Sequence, residues 1–362
     1  MKGEYEVKVS DEMQDPDWDA FVARAPGGHH VQTALWGQVK ELLGWHVARI
    51  VVTDQKRIMA GAQLLIRSMP LIGPVAYLTK GPVCALRDIG LAELVIDEVC
   101  RVSRARHVQL LAIQPPNNGQ AMVSLLPPRG FCPSSLELAP TASILIDLAS
   151  DLDDILARMK RQTRQNIRRG EREGISVHEG TEHDLPAFYT LHTSTSQRQK
   201  FPPYPEEYFV HMWQVFEPHG YIKLLLAKYG AETVSALLIV PFGDIVIAKI
   251  LGWSGSHADR RPNEALFWGA IQWAKSHGYA CFDFEGIDPI GAIAVLKGES
   301  LPESLHHSSD FLKHGFGGQV VLYPEAYDRV SNPISLWAYR KASPRIGGQS
   351  VASKLMDRLR KR

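Results

Sequence analysis

Two stretches of this chain run through the same succession of elements, and that repetition constrains the fold more than any other feature. In the first, strand-like runs at 47–53 and 58–66 flank the polar turn Asp54-Gln55-Lys56-Arg57. A third run, 75–79, precedes a helix over about 88–107 with Leu91, Leu94, Val95, Val99 and Val102 at helical spacing, and an apolar strand at 108–113 closes the block. In the second, runs at 221–228 and 234–240 flank the turn Tyr229-Gly230-Ala231-Glu232, and a third run covers 245–251. A helix over about 263–277 follows, with Leu266, Ala270, Ile271, Trp273 and Ala274 on its apolar side, then a strand at 279–284. Gly278 stands where a left-handed helix stop is wanted, after Lys275 and His277 in the last turn. Hairpin, strand, helix, strand, twice over, predicts a duplicated α/β domain. A length of 362 residues suits two domains.

Composition sets the broad class. Hydrophobic residues make up 45% and charged residues 22%, as in soluble globular enzymes, which excludes a disordered, collagen-like or small disulfide-stapled chain. Forty basic against thirty-nine acidic side chains leave a net charge of +1, so any polyanion site is local. Cys84, Cys100, Cys132 and Cys281 lie far apart, without metal-ligand spacing, and read as small buried residues of a reducing cytosol. No metal site is expected. The N-terminal residues lack the apolar core of a signal peptide, which predicts a cytoplasmic protein. The most apolar stretch, 234–253, carries Pro241, Gly243, Asp244 and Lys249, and reads as two strands and a turn, not as a membrane span.

Between the repeats lies a segment, 150–174, of unusual charge. Ser150 and Asp153 have capping-box spacing, and Leu152, Ile155, Leu156, Met159, Thr163 and Ile167 form one helical stripe. Arg158, Lys160, Arg161, Arg164, Arg168, Arg169 and Arg172 occupy other faces, and Gly170 or Gly174 would end the helix. A solvated helix face accounts for such residues, but the excess of one sign and the preference for arginine also suit anion binding. The end of the chain, 346–362, is basic too and reads as a tail that could meet RNA or an anionic membrane surface.

Several catalytic signatures are missing: no Gly-x-Ser-x-Gly elbow, no Walker loop and no dinucleotide fingerprint. The pairs His29-His30 and His306-His307 read as surface histidines, since neighbours on a strand point to opposite faces. More informative is Arg260-Arg261-Pro262-Asn263-Glu264-Ala265, between a strand and a helix. It resembles the pyrophosphate loop of acyl-CoA N-acyltransferases, Arg/Gln-x-x-Gly-x-Gly/Ala, whose backbone N–H groups hold the anion at the helix N-terminus. Asn263 replaces the middle glycine, so its side chain is expected to obstruct close backbone approach.

The ordered set of motifs goes further. Gln32-Thr33-Ala34-Leu35-Trp36-Gly37-Gln38-Val39-Lys40 with Gly44-Trp45, Lys160 to Arg169, Leu266 to Ala274, Phe282-Asp283-Phe284-Glu285-Gly286 and Phe311 to Gly318 together resemble the Fem-type aminoacyltransferases that build peptidoglycan cross-bridges. The resemblance implies an α/β (α+β) fold of two tandem Gcn5-related N-acyltransferase (GNAT) domains, without the inserted coiled-coil arm of some members. It implies a first domain of 1–149 completed by about 319–345, where a last strand and helix return, and a second domain of 150–318 that begins with the basic helix.

The same resemblance implies aminoacyl-tRNA as donor, a peptidoglycan precursor as acceptor, lipid-linked or nucleotide-linked, and no cofactor. Lys40, with Trp36 on its helix, matches a family lysine that contacts the acceptor's diphosphate; Arg198 matches an arginine with the same task, and Tyr204 a nearby aromatic position. Lys313 matches the lysine of a Phe-Lys-x-x-Phe-Gly pattern, with Leu312 in place of the phenylalanine, and could stabilise the oxyanion or hold the terminal adenosine. Asp283 and Glu285 alternate with Phe282 and Phe284 on one strand and so face one way. They suit a general base, or equally a structural role. Arg161, Arg164 and Arg168 are candidates for tRNA phosphates. Other readings stay open: a tRNA-dependent enzyme acting on a small-molecule or peptide product, an acyl-CoA N-acyltransferase, or a non-catalytic RNA- or precursor-binding protein. No DNA and no integral membrane segment are expected, although peripheral membrane contact is compatible with a lipid-linked acceptor.

Overall fold

The computed structural model describes residues 5–70, 72–85, 88–306 and 308–331. The chain divides into two compact units: 1–139 joined by the chain from Tyr323 onward, and Pro140–Leu322.

The first unit contains β1 (Glu6–Ser10), α1 (Pro16–Arg24), α2 (Ala34–Glu41), β2 (His46–Asp54), β3 (Arg57–Met69), β4 (Gly73–Thr79), β5 (Val83–Cys84), α3 (Ile89–Ala105), β6 (Leu110–Gln114) and β7 (Cys132–Pro133). The second contains β8 (Ala142–Asp147), α4 (Leu152–Arg158), α5 (Arg161–Arg172), β9 (Ile175–Glu179), α6 (Leu185–Gln199), α7 (Glu206–Phe216), β10 (Lys223–Tyr229), β11 (Glu232–Phe242), β12 (Ile245–Trp253), α8 (Pro262–Ser276), β13 (Cys281–Asp283), α9 (Pro289–Leu296), α10 (Ser309–Gly315) and β14 (Gln319–Leu322). A last strand, β15 (Tyr327–Val330), returns to the first sheet.

The repeat read from the sequence is present in both sheets. Each has an antiparallel hairpin (β2–β3, β10–β11), a third antiparallel strand (β4, β12), a crossover helix (α3, α8) and a strand parallel to the third (β6, β13). A parallel pair needs such a crossover, and the helix provides it. Beyond the parallel strand each sheet adds two antiparallel neighbours, β15 and β7 in one and β8 and β14 in the other. Both crossover helices bury one stripe: Leu91, Val95, Val99 and Val102 on α3, and Leu266, Ala270, Ile271 and Ala274 on α8. Asp88 caps α3 by accepting from Gly90 N (2.8 Å) and Leu91 N (3.3 Å). Gly278, in the left-handed region at φ +80°, follows α8 as its position predicts. The longest helix among the described residues is α3, of 17 residues, so these hold no coiled-coil arm.

The unit boundaries differ from those read in the sequence. β8 pairs with β13 and β14, so both 142–147 and 319–322 belong to the second sheet, whereas the sequence reading began the second domain at 150 and ended it at 318. The change in composition comes at the basic segment, but the strand before it is already part of that sheet. The returning strand is β15; the helix expected after it and the basic tail 346–362 lie outside the described residues.

The basic segment is two helices. Met159 and Lys160 are extended between α4 and α5 (ψ 153° and 143°). The Lys160 amide donates to Gly315 O (2.9 Å), which draws the chain out of the helix at this point. The expected capping box does not form: Asp151 is the N-cap without a side-chain bond, and the Ser150 hydroxyl accepts instead from Arg158 Nη2 (2.5 Å). Two further expectations fail locally. Cys132 is exposed, while Cys84 and Cys100 are buried and Cys281 is partly so. His30 is wholly buried against Trp36 (ring centroids 5.4 Å), not at the surface. No helix among the described residues is long and apolar enough to cross a membrane.

Candidate active site

The second unit gathers charge at the carboxyl end of β13. Phe282 and Phe284 are both wholly buried and stack edge-to-face at 5.2 Å, with Phe284 also 5.3 Å from Phe316. These rings anchor the strand end and turn Asp283 away from them. The strand stops at Asp283, however. Glu285 lies at φ +39° and Gly286 at φ +92°, so the two carboxylates do not share a strand face by alternation as the sequence suggested. They meet through the turn: Asp283 Oδ1 accepts from the Glu285 amide (2.8 Å) and from the Ser143 hydroxyl of β8. Glu285 Oε1 accepts from Lys249 Nζ of β12 (2.6 Å), an ion pair with both side chains mostly buried.

Lys313 completes the group from α10. Its Nζ donates to Gly286 O (2.5 Å), so the left-handed turn after Glu285 aims a carbonyl at the ammonium. Burial pulls the Lys313 ammonium below the usual lysine range, and Asp310, Glu285 and Asp283 pull it back up. Asp310 also accepts from the Asp288 amide (2.7 Å), which ties α10 to the start of α9.

The glycines after Lys313 have steric causes. A Cβ on Gly315 would lie 2.2 Å from Thr163 Oγ1, one on Gly317 2.7 Å from Arg158 O, and one on Gly318 2.5 Å from Leu145 O. Gly317 and Gly318 also have φ of +73° and +87°. The motif around Lys313 thus wedges α10 against α4, α5 and β8 and fixes where the ammonium stands.

The loop that resembles a pyrophosphate cradle is otherwise occupied. Arg261 precedes α8 in the left-handed region (φ 57°). Asn263 does not project over the helix end as expected; its Oδ1 turns back to accept from Ser235 Oγ of β11 (2.7 Å). The inner face of α5 packs on this end of α8. Asn166 Nδ2 donates to Glu264 Oε1 (2.9 Å), and a Cβ on Gly170 would sit 3.1 Å from Arg260 O. Arg260 donates to Glu173 O (3.1 Å) and stacks over Tyr229 (4.2 Å). The backbone atoms that face α5 here are the Arg260 and Arg261 carbonyls, so α5 covers this end of α8.

Among the arginines of α5, Arg161 and Arg168 are exposed, and no side-chain partner holds them. Arg172 is exposed on the same stripe, four residues beyond Arg168. Arg164 departs from the sequence reading. Its guanidinium turns back to donate to Ala157 O (3.1 Å) and Met159 O, capping the carbonyl end of α4. It thereby holds the end of α4, while Arg172 stands on the open face.

Arg198 is likewise engaged. Its Nη2 donates to Trp253 O (2.6 Å) and Thr195 Oγ1 (3.2 Å), and the guanidinium lies over the Trp253 ring at 4.9 Å. The side chain is still exposed, clamping the end of α6 to the end of β12. Tyr204 stacks on Tyr208 (4.3 Å) and meets Phe209 edge-on (6.4 Å).

Trp36 and Lys40 belong to the first unit. They lie one turn apart on α2, both largely buried, with Lys40 Nζ 4.5 Å from the Trp36 ring centroid. Sequence reading missed Ser143, Lys249 and Asp310. Ser143 and Lys249 sit inside strand runs, where a single polar residue in an apolar stretch was the available signal; Asp310 was hidden beside a motif. Among the described residues, no group of three or more His, Cys, Asp or Glu side chains could hold a metal ion.

Comparisons with known proteins agree with this architecture. The FemAB family matches residues 13–123, and the acetyltransferase (GNAT) domain matches 157–291. A UDP-N-acetylmuramoylpentapeptide-lysine N(6)-alanyltransferase of Weissella viridescens is 23% identical over 340 residues, covering 89% of this chain and 97% of the relative. A lipid II:glycine glycyltransferase of Staphylococcus aureus is 24% identical over 227 residues, covering 60% of this chain and only about half, 54%, of the relative. Among solved structures, the crystal structure of FemX superposes with a TM-score of 0.78 at 18% identity, covering 93% of this chain and 100% of that one. The fold is thus a tandem GNAT fold.

Proposed function

We propose that this chain, which belongs to the Fem-type aminoacyltransferases of tandem GNAT fold, moves an amino acid from aminoacyl-tRNA to a free amine of a peptidoglycan precursor, as in cross-bridge formation. The amine attacks the ester carbonyl that joins the amino acid to the ribose. A C–N bond forms, the C–O bond to the ribose breaks, and the proton lost by the amine ends on the ribose oxygen. The ester is already activated, so the chemistry demands placement, proton removal and stabilisation of an oxyanion, with no cofactor.

The observation that carries this reading is the Lys313 ammonium, half-buried on α10 and bonded to Gly286 O (2.5 Å) beside Asp283 and Glu285. A cation partly removed from water stabilises developing negative charge far more than one in bulk solvent. Asp283 and Glu285 stand near it as candidate proton acceptors, and Lys40, Trp36, Arg198 and Tyr204 as acceptor-binding candidates. Arg161, Arg168 and Arg172 would meet tRNA phosphates, which position the donor without reading its sequence. The packing of α5 on the start of α8 favours an RNA donor over an acyl-CoA. Charged tRNA and cytoplasmic precursors are found together in the cytoplasm, at or near the inner face of the membrane, and we place the reaction there.

The test is transfer of a labelled amino acid from charged tRNA to a nucleotide-linked or lipid-linked muropeptide, with acetyl-CoA as a competing donor. Transfer from aminoacyl-tRNA alone is expected. Acetyl transfer from acetyl-CoA without transfer from aminoacyl-tRNA would overturn the reading.

A further inference from the structure

Beneath α2 lies a buried polar frame that the reaction above does not use. Arg49 of β2 is wholly buried; its Nε and Nη2 donate to Gln63 Oε1 of β3 (3.3 and 2.8 Å), and its Nη1 reaches Asp15 Oδ2 (3.2 Å) and Glu12 O (3.1 Å). Arginine has only donors, so the Gln63 atom that faces it must be the oxygen. The amide is thereby forced into one orientation, and its Nε2 donates to Thr33 O (2.5 Å).

The next residues are held from other sides. Trp18 Nε1 donates to Gln32 O (2.6 Å), and Asp19 Oδ1 accepts from Ala34 N (2.5 Å). The Gln32 amide donates to Thr79 O (2.7 Å) and accepts from Gln63 N (2.9 Å). The Thr33 hydroxyl accepts from Trp36 N (3.0 Å) and so caps α2. Three successive residues, Gln32, Thr33 and Ala34, are thus fixed just ahead of Leu35 and Trp36. The helix then lies close on the sheet: a Cβ on Gly37 would be 2.5 Å from Val47 Cγ2. A helix is stiff over one turn, so whatever sets the first turn of α2 also sets Lys40, four residues after Trp36.

We infer that Gln63, oriented by the buried Arg49, is a positioning residue that fixes the α2 helix and through it the Trp36–Lys40 pair that receives the acceptor. The inference rests on the reading of Lys40 as an acceptor contact. It explains why a wholly buried guanidinium and two buried amides stand where apolar side chains would pack as well: a satisfied polar network admits one arrangement, and small displacements of a binding group are costly.

The test uses the full-length protein in the transfer assay. Gln63→Glu keeps the bond to Arg49 but sets an acceptor against Thr33 O; Gln63→Met keeps the volume and removes both bonds. Each is expected to raise the acceptor KM about tenfold, with kcat and the donor KM changed less than twofold. On a Lys40→Ala background the same changes should add almost nothing, because the two residues act through one contact. Hydrogen exchange of the amides at 34–37 should speed up in both variants. An unchanged acceptor KM where Lys40→Ala raises it, fully additive effects, or equal losses for donor and acceptor would overturn the inference. If Lys40→Ala itself leaves the acceptor KM unchanged, the acceptor reading of Lys40 fails, and unaltered exchange at 34–37 would then overturn the positioning claim independently.

Discussion

Ser143 of β8 stands two residues from Leu145, the register partner of Asp283 on β13, and its hydroxyl donates to the same Asp283 oxygen that receives the Glu285 amide. That oxygen already accepts two bonds, one from a neighbouring strand and one from its own turn. Asp283 therefore shapes the turn that aims Gly286 O at Lys313. Ser143 is wholly buried, so Ser143→Ala should cost about 1–2 kcal/mol of stability through one lost buried hydrogen bond. Denaturant unfolding measures this; a change below a few tenths of a kcal/mol would mean that the bond does not hold the turn.

Lys313 is the residue on which the proposed chemistry depends most. Lys313→Met preserves the length of the stem and removes the charge. We expect kcat to fall about 10²–10³-fold, the usual effect of deleting one oxyanion donor, with little change in donor KM. Full activity in this variant, in a protein of unaltered fold by circular dichroism, would remove Lys313 from the reaction.

Lys249 and Glu285 form a mostly enclosed ion pair, and removing Lys249 leaves the Glu285 carboxylate without its hydrogen-bonded counter-charge. Lys249→Met should therefore destabilise the protein by about 3 kcal/mol. Lys249→Met combined with Glu285→Gln should recover much of that loss. Thermal unfolding of the three variants decides it: additive losses would show that the pair contributes nothing as a pair.

The arginines of α5 separate by geometry into two kinds, and mutation should separate them too. Arg168→Ala with Arg172→Ala is expected to weaken tRNA binding and lower the slope of log affinity against log salt by about 2, with no loss of stability. Arg164→Ala should instead cost stability, since its guanidinium caps the last carbonyls of α4, and should leave the salt slope as it was. The opposite pattern would mean that the RNA surface lies elsewhere.

The difference between Arg164 and Arg168 also marks the limit of what the sequence discloses. The order of hairpin, strand, crossover helix and strand was legible, because alternation and helical spacing report burial within a local run. Lys313, Asp283 and Glu285 were legible because they sit inside short motifs. The break at Met159–Lys160 was not, since it depends on Gly315, more than 150 residues away in the chain. The assignment of 142–147 to the second sheet was hidden for the same reason: its partner β13 lies far along the sequence, and an apolar strand carries no record of which sheet receives it. Lys249 and Ser143 became informative only once strand pairing brought them to Glu285 and Asp283.

His192 offers a test of the core at α6. The ring is buried among Phe188, Phe201 and Phe209, neither of its nitrogens has a hydrogen-bond partner, and burial pushes its pKa down from 6.5 to about 4. The folded protein thus holds a neutral imidazole, while the unfolded chain binds a proton below pH 6.5. Between about 6.5 and 4 the unfolded state carries more protons, so this residue's contribution to stability is present above 6.5 and is lost as the pH falls through that window. A shift of this size corresponds to about 3 kcal/mol. Asp19 acts in the opposite sense. Burial, against the Ala34 amide and Arg49 and with Asp15 nearby, raises its carboxyl from 3.8 to about 6, so its contribution is greatest below 3.8 and is lost as the pH rises through about 6. The two partly cancel in the wild type. His192→Leu removes one side of the balance and should make the protein relatively more stable at pH 5 than at pH 7, compared with wild type. Urea midpoints at both pH values measure it, and an equal shift at pH 5 and pH 7 would show that His192 does not titrate on unfolding.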